Sequence, residues 1–70
     1  MALQAFVEGT DTLVAPGSPV KSSGGKQGRL VMASKARGGG KSGKVIVALG
    51  DSNTGSEYYD RVFGLEVRDA

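Results

Sequence analysis

Residues 44–49 read Lys-Val-Ile-Val-Ala-Leu, in which Lys44 leads an unbroken apolar run with three β-branched residues in succession, and this run decides the fold. Such a run reads as a strand buried on both faces. Downstream, residues 61–68 (RVFGLEVR) alternate. Phe63, Leu65 and Val67 fall on one side and Gly64, Glu66 and Arg68 on the other, the period-2 pattern of a half-buried strand. Ser56 to Phe63 could instead form a helix capped by Ser56, but Gly64 and the β-branched residues argue against extending it.

Working back towards the N-terminus, residues 2–7 (ALQAFV) end at Glu8-Gly9, and Leu13-Val14-Ala15 is closed by the turn signal Pro16-Gly17-Ser18-Pro19. A Ser22-Ser23-Gly24-Gly25 hinge precedes Leu30-Val31-Met32-Ala33, and residues 38–43 form a glycine-rich loop. The expectation is one all-β domain over residues 1–70, a small barrel or sandwich of four to six short strands. Residues 21–43 are read as a flexible, basic Gly/Ser-rich loop or arm. The predicted core is Phe6, Leu13, Val14, Leu30, Val31, Val45, Ile46, Val47, Leu49, Phe63, Leu65 and Val67.

The 70 residues carry nine Lys or Arg and seven Asp or Glu. Their placement is uneven. Lys21, Lys26, Arg29, Lys35, Arg37, Lys41 and Lys44 lie in a stretch with no acid, and all the acids (Glu8, Asp11, Asp51, Glu57, Asp60, Glu66, Asp69) flank it. A net charge of +2 thus hides a basic centre between acidic ends. A chain this short buries only about 60% of its unfolded surface, so its core is marginal. With no Cys a disulfide staple is impossible, and with neither Cys nor His the common zinc, haem and blue-copper sites are excluded. Oligomerisation or docking on a larger body is the remaining way to reinforce the fold. No apolar run reaches the roughly 20 residues of a membrane span, and residues 1–7 do not read as a signal peptide.

Three motifs invite a catalytic reading. Gly50-Asp51-Ser52-Asn53 behind a buried strand resembles the first block of the GDSL (SGNH) hydrolases, with Ser52 as nucleophile. A serine hydroxyl needs an adjacent base, which that family takes from an Asp-x-x-His pair, and this chain has no His. Gly38-x-Gly40-x-x-Gly43 matches a dinucleotide fingerprint by letter, but the fingerprint needs a strand before it and a helix after it. Gly40-Lys41-Ser42 echoes a phosphate-binding loop whose leading glycine would fall on Lys35. The expectation is no catalytic, cofactor or metal residues.

The basic stretch is the functional candidate. Lys and Arg on a flexible backbone can neutralise phosphates. Sequence readout would add aromatic platforms or base-reading side chains, whereas between 21 and 44 there is no aromatic residue and no Asn. The expected partner-binding residues are Lys21, Lys26, Arg29, Lys35, Arg37, Lys41 and Lys44, with Tyr58 and Tyr59 as interface anchors. A small SH3-like or OB-like barrel that binds nucleic acid non-specifically is the alternative.

Gly28-Arg29-Leu30-Val31-Met32-Ala33, a Gly/Ser/Lys loop, Val45-Ile46-Val47-Ala48-Leu49-Gly50-Asp51-Ser52 and a closing strand resemble, together, the small head-decoration (cement) proteins of tailed phages. The opening Phe6-Val7-Glu8-Gly9 and Pro16-Gly17 fit the same style. The resemblance covers about two-thirds of the chain at the level of pattern, and the long basic insertion lies outside it. It implies a non-enzymatic β protein, often a trimer in that family, on the outer surface of a viral capsid, with the major capsid protein as partner and assembly in the host cytoplasm.

Overall fold

The structure, a computed structural model, describes residues 3–50 and 54–69. The chain is all-β: β1 (Leu3–Val7), β2 (Leu13–Val14), β3 (Pro19–Lys21), β4 (Gln27–Lys35), β5 (Lys44–Leu49), β6 (Ser56–Tyr59), a 3-10 turn (Asp60–Phe63) and β7 (Leu65–Asp69). They form two antiparallel sheets, a three-stranded one in the order β2-β1-β7 and a four-stranded one in the order β3-β4-β5-β6. The sheets do not close into a barrel. One core joins them: Ala5, Leu65 and Val67 from the first, Val20, Leu30, Val45 and Val47 from the second, and Phe63 between.

KVIVAL is the centre of its sheet, with β4 on one side and β6 on the other. Val45 and Val47 are fully enclosed. Residues 65 and 67 face inward, as the alternation predicts. The segment that could have been a helix divides instead into β6 and a 3-10 turn. Among the described residues seven strands form rather than four to six, because β2 and β3 are too short to display a period.

The expectation of a loop or arm across residues 21–43 does not hold for its middle. Gln27–Lys35 is the longest strand, paired with β3 and β5. The glycine run also acquires a defined shape. Gly38 and Lys41 exchange both backbone hydrogen bonds (2.9 and 3.1 Å) around Gly39 and Gly40, whose φ values are +58° and +77°. That is the geometry of a two-residue hairpin turn with both central residues left-handed, which glycine adopts without a steric cost.

Several predicted core residues lie elsewhere. Ala5 pairs with Val67 and faces inward, so Phe6 and its partner Leu13 turn to the outer side. Phe6 is half-buried there, and Leu13 is 50% exposed. Val31 follows the inward-facing Leu30 and is 43% exposed, and the register of β4 against β5 then slips between Leu30 and Met32, a bulge that turns Met32 outward as well. Ile46, on the outer face, and Leu49 are half-buried. Ala5, Val20 and Ala48 take buried places instead.

Candidate functional site

Charge on this fold begins with one buried acid. Asp60 is fully enclosed. One of its carboxylate oxygens accepts hydrogen bonds from Arg37 Nε (3.1 Å) and the Val67 amide (3.1 Å), and Arg37 Nη2 lies 3.0 Å away. Arg37 also donates from Nη2 to the Leu65 carbonyl (2.9 Å), from Nη1 to Glu8 (3.0 Å) and from its own amide to the Val67 carbonyl (2.9 Å). The Asp60 hydrogen bond is the main reason Arg37 is held above its ordinary pKa, with Glu8 adding to it and partial burial opposing it. A Cβ at Gly43 would stand 2.5 Å from the Lys35 carbonyl and 2.9 Å from the Asp60 carboxylate, so only glycine fits beside this pair.

The second arginine cluster stands on the outer face of the three-stranded sheet. Arg68 pairs with Asp11 (2.8 Å) and Glu66 (3.3 Å), donates to the Thr10 carbonyl and lies 4.4 Å from the Phe6 ring centroid. Its pKa is raised, chiefly by the Asp11 hydrogen bond.

These contacts redistribute the charge. Glu8 and Asp60 go to Arg37, Asp11 and Glu66 to Arg68, and Glu57 to Lys44 (3.5 Å). Among the described residues Lys21, Lys26, Arg29, Lys35, Lys41 and Arg61 make no ion pair. Val20 and Leu30 point into the core, so Lys21 and Arg29 alternate outward beside them. Lys35 lies directly across from Lys44, and Lys44 across from Tyr59. The outer face of the four-stranded sheet thus collects Lys21, Arg29, Lys35 and Lys44. Between them stand Met32 (53% exposed), Val31 and Tyr59 (57% exposed).

At one end of this face Lys35, Lys41, Ser42, Lys44 and Tyr59 line a cleft of about 380 Å³. The Gly39-Gly40 turn carries Lys41 to it. Lys44 Nζ stands 5.6 Å from the Tyr59 ring centroid. Glu57, beside the cleft, is held below the ordinary carboxylate pKa mainly by a hydrogen bond from Ser34 Oγ (2.7 Å), then by the charge of Lys44.

Comparison with protein-family models, with curated proteins and with solved structures finds no match to the chain.

Of the expected partner-binding residues, the outer sheet face gathers Lys21, Arg29, Lys35, Lys44 and Tyr59, and Lys41 joins at the cleft. Lys26 sits on the exposed turn between β3 and β4, where its amide bonds the Ser22 hydroxyl (3.0 Å). Arg37 does not belong to the set, because three acceptors on neighbouring segments draw it onto the fold. Tyr58 does not either. It faces inward opposite Val45 and packs edge-on against Phe63, centroids 5.3 Å apart. Sequence reading missed Met32 and Ser42. Met32 sits in a run that looks internal, and only the bulge turns it out. Ser52, the candidate nucleophile, lies outside the described residues.

Proposed function

We propose that this chain is a non-enzymatic binding protein that docks on a larger protein assembly, as a capsid decoration or cement subunit does. The observation that carries the reading is the outer face of the four-stranded sheet. Exposed apolar side chains there (Val31, Met32, Tyr59) are interleaved with cations, while the chain's own acids are largely engaged elsewhere. An apolar centre with a charged rim is the composition of a recognition surface. The pattern-level resemblance to phage decoration proteins selects a capsid among possible assemblies, with acidic groups on the shell as the complement. A homotrimer on the capsid surface is part of the same proposal.

The test is co-sedimentation of the purified chain with capsids of the phage that encodes it. Saturable binding at a fixed ratio to the major capsid protein is the expected result. A chain that stays in the supernatant at every salt concentration removes the capsid reading.

The uncompensated cations on one sheet face favour a second reading, non-specific binding of nucleic acid. A protein making six to ten phosphate contacts loses about 10³–10⁵ in affinity between roughly 50 and 200 mM salt. Random-sequence DNA that binds at low salt with that steep dependence supports it, and no binding at low salt removes it.

A further inference from the structure

We propose that the open edge of β6 and the lysine cleft beside it form one docking site whose occupant is an extended, acidic peptide segment of a partner protein. This rests on the assembly-binding reading above and adds the surface and chemistry of the contact.

The first support is an accounting of sheet edges. An exposed strand edge is a template for another strand, and proteins ordinarily blunt it. Edge strand β2 is only two residues long, and edge strand β3 opens with Pro19, which has no N–H. The free side of β7 is occupied, since Arg37 and Asp60 satisfy the Val67 amide and carbonyl and the Leu65 carbonyl. β6 has no such device among the described residues. The Asp60 amide bonds the Gly43 carbonyl (3.0 Å), which sets the phase of the β5–β6 ladder. Tyr58 and Ser56 then bond inward to β5, and the backbone N–H and C=O of Glu57 and the N–H of Tyr59 point outward, while the Tyr59 carbonyl opens the 3-10 turn as its N-cap. The Glu57 side chain, a charge that could guard this edge, is drawn over the sheet face by Ser34 and Lys44.

The second support is the cleft. Lys35 and Lys44 are direct cross-strand partners, and like charges so placed repel. Lys41 adds a third ammonium, and Ser42 and Tyr59 add hydroxyls. Glu57 pairs with Lys44 and also feels the charge of Lys35, one acid beside three ammonium groups, so the cleft keeps an excess of positive charge. A strand laid about 4.8 Å from β6 projects every second side chain over this outer face. Acidic side chains there would approach the cleft from its Tyr59 side, in the field of the lysines.

A peptide fits both features, and a nucleic acid fits one. Phosphates could enter the cleft, but a strand edge presents donors and acceptors that another polypeptide backbone complements. The exposed aromatic ring at the site, Tyr59, already has Lys44 near it and offers a poorer stacking platform.

The test uses a fluorescein-labelled peptide of alternating Thr and Glu, the same peptide N-methylated at alternate amides, and an oligothymidylate. The Thr-Glu peptide should bind saturably and slow hydrogen exchange at the Glu57 and Tyr59 amides. N-methylation, or the exposed double substitution Lys35→Gln/Lys41→Gln in a chain with unchanged circular dichroism, should each weaken binding at least about tenfold. Absence of peptide binding, equal binding of the methylated peptide, or tighter binding of the oligothymidylate at the same lysines would overturn the proposal. A chain that fails here yet co-sediments with capsids keeps the assembly reading and loses only this surface. A chain that binds peptide but no capsid does the reverse.

Discussion

Asp60 is one carboxylate in a chain whose other described acids sit at or near the surface, and it organises three segments. Losing it strips the buried Val67 amide of its acceptor, a cost of about 1–3 kcal/mol, and leaves Arg37, whose side chain is 25% exposed, with Glu8 as its remaining acid. A 70-residue domain has only about 4–10 kcal/mol of stability in total. Asp60→Ala should therefore remove a substantial part of the chain's stability. Asp60→Asn, which keeps an acceptor for the Val67 amide, should lose less, and urea titration of both variants ranks them. Glu57 offers a milder test. Its folded pKa lies below the unfolded value, so its stabilising contribution is present above the ordinary glutamate range and is lost as pH falls through the folded pKa. Because the Ser34 hydrogen bond is the main cause, Ser34→Ala should move the Glu57 midpoint upward in an NMR titration.

At the scale of elements, the arginine that reads as part of a basic arm is an edge guard. Arg37 takes the positions a neighbouring strand would take beside β7. Arg37→Ala should both destabilise the fold and expose that edge. The expected outcome is concentration-dependent association, read as a rising sedimentation coefficient, at protein concentrations where the parent chain shows none. The strands show how far local pattern reaches. KVIVAL and the alternation of residues 65–67 could be read directly, because burial on a sheet imposes a composition on one strand at a time. The bulge at Val31 could not, since a slip of register depends on what β5 offers opposite. Nor could the turn at Gly39-Gly40, where four nearby glycines permit many shapes and pairing of Gly38 with Lys41 selects one.

For the whole molecule, the consequence of small size is a stability that a partner can raise. A ligand that binds only the folded form, at a free concentration one hundred times its Kd, adds about 2.7 kcal/mol. In a domain of this size each kcal/mol moves Tm by about 4–8 °C. Saturating capsid or acidic peptide should therefore raise Tm by roughly 10–20 °C, and calorimetry with and without partner measures it. An unmoved Tm at saturation would count against docking of the folded chain.

The all-β class, the central strand, the inward face of β7 and the segregation of charge along the chain were determined by the sequence alone, because each is a property of neighbouring residues. Which cations stay available was decided only by the tertiary structure. Glu8 and Asp60 lie 29 and 23 positions from Arg37, and Asp11 lies 57 from Arg68. Folding brings these acids onto the arginines and leaves the lysines on an open sheet face. Coulombic partners are set by distance in space, and a linear pattern of charges does not contain that distance.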